Sequence, residues 1–392
     1  MTVDRAWIER NIGFDPLVHA APAASFTHKE AARTKAKLED TARERIDFDS
    51  EGPEGRSFLS FSKATGLSRF TNIPWPPGLA PKADASARKG PGGALPKADV
   101  LVVTWTVDEG HALSRVLTPG KDSHDDYVPY KHNYAKFAAR MSRGAPAVEA
   151  KSLGAYWTAT IGGKKVVILK SNSHLSQDTK RLPPAGQNLP NFDFWAQIIH
   201  EVGPSLVLTT GTAGGIGAGA EVGDVVVSPI FRFDCQKWLN HPPYAGFHYE
   251  NQKGVPGNAK FAVAKTLFKA NSGQLPSDNT RPPEITTVPA RALNEAVLTT
   301  DFFGFDTSSD FFHLQGLGTV SEMGDAILGM VAQKMGGSAP SCFAVRNVSD
   351  PQIASDHLSI EEQDHLAGHI YKAYGRWSSV CSAIVCWAMI VA

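Results

Sequence analysis

Residues 206–227 read LVLTTGTAGGIGAGAEVGDVVV. The run at 206–210 is apolar and β-branched, so it reads as a strand, and a second strand begins at 224–229 after Gly223. Between them the glycines at 211, 214 and 215 let backbone N–H groups approach a ligand closely, and the Thr212 hydroxyl adds a donor or acceptor beside them. Two other phosphate-binding readings fail. GIGAGA at 215–220 has the spacing of a dinucleotide fingerprint, but that motif must open a helix, and here Glu-Val-Gly-Asp and another strand follow. No Gly-Lys-Ser/Thr follows either, which excludes a P-loop.

Outward from this unit the pattern is α/β. Residues 100–105 (VLVVTW) form a near-continuous apolar run, as expected of a strand buried on both faces. Strands at 156–161 and 165–169 flank Gly162-Gly163, a hairpin signal, and further strands are expected at 296–300 and 342–348. Met323, Ile327, Met330 and Val331 recur at helical spacing. Ser359 with Glu362 three residues on makes a capping box for a helix carrying Leu366, Ile370 and Tyr374 on one face. These alternating elements predict an α/β fold, a twisted mixed central sheet flanked by helices, over residues 97–392. Residues 1–96 read as an irregular N-terminal extension. A polar helix is expected at 29–45, and the breakers PWPPG (74–78) and KGPGG (89–93) predict a wandering surface arm.

Composition narrows the function. Lys+Arg and Asp+Glu each total 39, which gives no argument for nucleic acid or membrane as a partner. The four cysteines include no CxxC and no Cys/His ligand spacing, so no metal is expected; Cys381 and Cys386, in an apolar stretch, read as buried thiols of a reducing compartment. The N-terminus lacks the apolar core of a secretory signal. The longest apolar run, 380–392, is about half what a bilayer span needs. It reads as a core helix, and the location as cytoplasmic.

Four segments, in order along the chain, carry a resemblance. TGTAGGI…GDVVVS resembles the signature strand-loop-strand of the nucleoside phosphorylase / nucleosidase superfamily, closest in motif to the methylthioadenosine/S-adenosylhomocysteine nucleosidases. VVTWTVDEGHAL (102–113) resembles the family's first strand and acidic turn, SEMGDA (321–326) its ribose segment, and AVRNVSD (344–350) its "VR-ISD" strand. The resemblance implies a nucleoside phosphorylase-like fold for residues 97–392 and cleavage of an N-glycosidic bond in a small purine nucleoside or nucleotide. It also implies a homo-oligomer and no organic cofactor.

Breaking that bond builds positive charge on the sugar and negative charge on the departing base, so an acid is needed near the base and a carboxylate near the nucleophile. The resemblance places the acid at Asp350, oriented by Ser349; the plain alternative is an Asp-Pro turn. It places the water-activating carboxylate at Glu109, which otherwise reads as a helix-start acid, while Asp108 points elsewhere. Gly211, Thr212, Ala213 and Gly214 would form the ligand-side loop, Phe303 would stack on the base, and Met323 would lie under the ribose. Glu322 keeps its family place. The family's ribose carboxylate is replaced by Gly324, so Asp325 either takes over or is an ordinary first-turn acid. Where phosphorylases hold phosphate with an arginine, this chain has Thr209, which favours water as nucleophile; inorganic phosphate would be a co-substrate only in a phosphorylase. The insertion at 115–131 brings Arg115, Lys121, His124, Lys131 and the adjacent His132, which would contact a 5′-phosphate if the substrate were a nucleotide; the plain alternative is a solvated loop. Residues 236–257 read as a lid or a subunit contact. A binding module that has lost turnover is the third reading, opposed by the retention of both Glu109 and Asp350.

Overall fold

The computed structural model describes Val3 and residues 73–84, 93–121, 126–251, 253–269, 276 and 278–392. The expected helix at 29–45 lies outside the described residues, as does most of the 89–93 breaker.

Two long strands form the spine. Strand β6 (Leu206–Gly215) lies parallel to β13 (Ser341–Asp350) along nearly its whole length. The other strands are β1 (Lys82–Ala83), β2 (Val100–Thr104), β3 (Val128–Tyr130), β4 (Gly154–Ile161), β5 (Lys164–Ser171), β7 (Val225–Ser228), β8 (Ile230–Asp234), β9 (Ala245–Glu250), β10 (Ile285–Thr287), β11 (Ala296–Thr299) and β12 (Gly318–Glu322). Among the described residues they join one mixed sheet whose main path runs β1-β4-β5-β2-β6-β12-β11-β8-β9, with β13 and β7 branching from β6. The expected hairpin at Gly162-Gly163 is the antiparallel β4–β5 pair.

Alternation along the spine sends side chains into two separate cores, which is why these strands are apolar throughout. Val100, Val102, Phe343 and Val345 enter one core with helix α1 (Val107–Leu117) and the long helix α4 (Ile360–Ile390). Leu101, Val103 and Ala344 enter the other with α2 (Pro190–Val202) and α3 (Asp325–Met335). Ser359 and Glu362 form the capping box expected for α4, and the apolar run from Val380 to Ile390 is buried, a core helix as read from the sequence. All four cysteines are buried thiols. Among the described residues no helix is long and apolar enough to cross a membrane.

Two expectations change. Residues 211–215 are strand rather than loop, because pairing with β13 continues through Asp350 and Gly214. The 73–84 stretch is no wandering arm: Trp75 packs on Trp387 with ring centroids 4.8 Å apart, and Lys82–Ala83 adds a strand to β4. Residues 236–257 contribute edge strand β9, paired antiparallel with β8.

One carboxylate anchors the backbone of four successive residues before β9. The Asp301 carboxylate, fully buried, accepts from the backbone N–H groups of Gln236, Lys237, Trp238 and Leu239 at 3.0, 3.1, 2.6 and 2.9 Å. Asp301→Ala leaves four buried donors without this acceptor and is expected to destabilise the protein by about 3 kcal/mol or more. A denaturant midpoint within error of wild type would refute this.

Candidate active site

Strand β6 has a gap on one edge. Its lower half, Leu206–Thr209, pairs with β2, while Gly214 and Gly215 pair with β12. Between those partners the Thr212 backbone has no strand beside it. The Glu109 carboxylate fills the gap: Oε1 accepts from Thr212 N and Thr212 Oγ1, both at 2.7 Å. Oε2 accepts from Thr104 Oγ1 at 2.6 Å, Trp105 N at 3.0 Å and Thr106 N at 2.9 Å. Glu109 is also the N3 residue of the α1 capping box, with Thr106 as N-cap. One side chain thus caps a helix and completes a sheet edge.

Gly211 makes this seat available. Its φ is +140°, and a Cβ there would lie 2.3 Å from Glu109 Oε1. Gly211 therefore supports Glu109 from beneath and does not line the cavity, which corrects its expected place among the ligand-contacting residues.

The cavity above is lined by Thr212, Ala213 and Gly214 of β6, by Phe303, Glu322 and Met323, and by Glu109, Ser349 and Asp350. It has two ends. At one, Asp350 Oδ1 accepts from the Ser349 hydroxyl at 2.6 Å, and Ser321 Oγ donates to Gly304 O at 2.6 Å beside Gly214. At the other stand Glu109, Thr106, Trp105 and His174. Thr212, which holds Glu109, and Gly214, beside Asp350, are two residues apart on β6, a separation of about 7 Å in a strand.

Burial alone would raise the Glu109 pKa, but the Arg346 charge and the hydrogen bonds from Thr104, Thr106 and Thr212 prevail and hold it below its ordinary 4.5. Burial and the Lys170 cation push half-buried His174 down to about 3, so its imidazole is neutral. Asp108 is raised to about 6 by burial, with Arg376 opposing; it does not line the cavity and points elsewhere, as the sequence suggested.

Arg346 was not singled out from the sequence. It stands in a buried strand, where a permanent cation demands buried acids. Its guanidinium pairs bidentately with Asp325 through Nε (2.8 Å) and Nη2, reaches Glu322 Oε2 at 3.3 Å and Thr212 O at 3.3 Å, and lies 4.8 Å from the centre of the Trp105 ring. Asp325 is consequently claimed by Arg346 and is not among the residues lining the cavity, where it was expected. Glu322 lines the cavity but spends its oxygens on Thr299 Oγ1, the backbone N–H groups of Gly324 and Asp325, and Arg346. Burial and the adjacent Asp325 raise its pKa. Trp105, Thr106, His174, Ser176 and Tyr371 also line the cavity without having been picked out. Trp105 and Thr106 stand inside the 102–113 motif, whose reading rested on its acidic residues, and the other three lie outside the motifs with no local signature.

Thr209 is fully buried in β6 and off the cavity. Lys170 is buried, donates to Asn172 Oδ1 at 2.5 Å, and does not line the cavity; neither do Arg115, Lys121, Lys131 or any residue of 236–257. His132 pairs with Glu201 at 2.6 Å, and His124 lies outside the described residues.

A family model described as the phosphorylase superfamily matches residues 128–370, more than half of the 392-residue chain. No curated protein matches. Among solved structures, a 5′-methylthioadenosine/S-adenosylhomocysteine nucleosidase from Neisseria meningitidis is 14% identical, with a TM-score of 0.44 over 75% of this chain and 99% of that one. Futalosine hydrolase of Helicobacter pylori is 15% identical, TM-score 0.44, over 74% and 96%. A nucleosidase from Colwellia psychrerythraea in complex with adenine is 16% identical, TM-score 0.45, over 76% and 96%.

Because the folded-state pKa of Glu109 lies below 4.5, its ionised form contributes stability above that pH, lost as pH falls through the lower folded value. Glu109→Gln is therefore expected to be less stable than wild type at neutral pH, with the difference shrinking in acid below about pH 4.5. A difference that is constant across pH would show that the carboxylate charge is not what holds the site.

Proposed function

Since the chain belongs to the phosphorylase superfamily, and its cavity sets one buried carboxylate at each end, we propose that it hydrolyses the N-glycosidic bond of a purine nucleoside or nucleotide. The observation that carries the reading is the pairing of Glu109 and Asp350 across that short span of β6 in unlike settings. Glu109 is locked as an anion by five donors. Asp350 has one oxygen held by the Ser349 hydroxyl in a buried pocket. Carboxylates whose environments diverge in this way suit divided acid and base work.

Asp350 donates a proton to the leaving base, which Phe303 stacks against, and Ser349 fixes its rotamer. Glu109 supplies negative charge facing the sugar as the anomeric carbon becomes cationic. With both oxygens occupied it holds the nucleophile indirectly. Thr212 Oγ1 donates to Glu109 Oε1 and retains lone pairs, so water can donate to Thr212 while attacking the anomeric carbon. As the C–N bond breaks its electron pair goes to the base, a C–O bond forms to water, and the water's surplus proton passes along the Thr212–Glu109 relay.

Water is favoured over phosphate by the charge of the lining. Among the described residues Arg346 is the one Lys or Arg side chain lining the cavity, and Asp325 already holds its fork. A desolvated phosphate dianion beside Glu109 would have no uncommitted cation to compensate it. Phosphorolysis is the alternative the superfamily keeps open.

Chromatography of adenosine, inosine and AMP incubated with the protein is expected to show free base at equal rates with and without phosphate. Asp350→Asn should lower that rate by roughly 10²- to 10⁴-fold, the range of a positioned general acid. Base release that requires phosphate would replace hydrolysis with phosphorolysis. An undiminished Asp350→Asn rate would remove the acid from its assigned place.

A further inference from the structure

At Gly324 φ is −165° and ψ −19°, so the backbone lies outside the left-handed region that favours glycine. The obstacle is lateral. A Cβ on Gly324 would lie 3.1 Å from Trp105 Cζ2 and 3.3 Å from Cε2, so the indole occupies the space into which a side chain at 324 would project. The ring is fixed from three sides. Its Nε1 donates to Ser173 O at 3.1 Å, the Arg346 guanidinium lies over it, and Trp195 packs at 5.8 Å. Trp105, Met323 and Gly324 therefore form one continuous wall of the cavity beside Glu109.

That wall offers little to a hydroxyl. Trp105 and Met323 are apolar there, Gly324 has no side chain, and the indole N–H is committed to Ser173. The adjacent carboxylates are occupied: Glu322 by Thr299, two backbone N–H groups and Arg346, Asp325 by Arg346, Glu109 by its five donors. A sugar hydroxyl turned toward the indole would shed its water and meet no strong acceptor on the side chains of Trp105, Met323 or Gly324.

We propose that the Trp105–Gly324 wall is a specificity element that selects a deoxypentosyl ligand over a ribosyl one. The proposal rests on the N-glycosidase reading and names the sugar that the same cavity takes. Trp105 is the residue that determines it, and Gly324 is required because it leaves room for the ring.

Removing a hydroxyl next to the anomeric carbon also speeds glycoside cleavage intrinsically, since an electron-withdrawing group no longer opposes the developing cation. Binding is therefore the cleaner readout. In the slow Asp350→Asn protein, adenosine, 2′-deoxyadenosine and 3′-deoxyadenosine are compared by calorimetry, with the inosine series in parallel. At least one deoxynucleoside should bind about tenfold more tightly than its ribonucleoside, the size expected when one hydroxyl is buried without a partner. Adding Trp105→Asn should collapse the ratio toward one, because the amide supplies a partner and opens the wall, whereas Trp105→Phe should preserve it. General damage to the site would weaken every nucleoside alike and leave the ratio unchanged. Ribonucleosides binding wild-type walls as tightly as deoxynucleosides, or a ratio indifferent to Trp105→Asn, would overturn the proposal while leaving the hydrolase reading intact. If no nucleoside bound and wild-type protein released no base, the hydrolase reading would fall and take this one with it.

Discussion

The Glu109 carboxylate is the constraint around which the site is organised. It fills the break where β6 passes from β2 to β12, so it stands in for a missing strand at Thr212. It also closes the first turn of α1 through the Thr106 capping box. A carboxylate buried this deeply would be neutral unless compensated, and five hydrogen bonds with the nearby Arg346 charge keep it ionised. The same fixed charge that joins helix to sheet therefore faces the ligand cavity at no further desolvation cost. Gly211 is subordinate to it, because only the absence of a Cβ leaves room for its oxygens.

Arg346 is the counterpart. It ties the β13 strand to Glu322 and Asp325 at the start of α3, reaches the Thr212 carbonyl, and backs the Trp105 ring. A buried guanidinium with two acids is weak evidence of net stability, since desolvation offsets much of the attraction. Its structural consequence is positional. Thr212, Trp105 and the 322–325 segment come from distant parts of the sequence, and Arg346 contacts all three.

Much of this was legible in the sequence. The apolar strands at 100–105 and 342–348 announced a two-faced sheet, and the Ser359/Glu362 box announced the long helix. Four ordered motifs named Glu109, Thr212, Met323, Ser349 and Asp350, the same resemblance added Phe303 from outside them, and the fold brings all six to one cavity. Asp325 and Gly211 failed as contact residues because a motif fixes where a residue stands but not which neighbour claims it. Arg346 takes the first, and Glu109 sits on the second. Trp105 stood inside the 102–113 motif but gave no sign of which way its ring turns, and His174 was invisible because its proximity to the site comes from tertiary packing. The strand character of 211–215 was hidden by its glycines, which read as a loop until β13 pairs with them.

The account turns on water, not phosphate, reaching the anomeric carbon between Glu109 and Asp350. The most direct measurement is the fate of that carbon when the protein turns over a nucleoside in ¹⁸O-labelled water containing saturating phosphate, with the sugar product read by mass spectrometry and ³¹P NMR. The account predicts a free pentose carrying solvent ¹⁸O at its anomeric hydroxyl and no sugar phosphate. A pentose 1-phosphate without the label would contradict it.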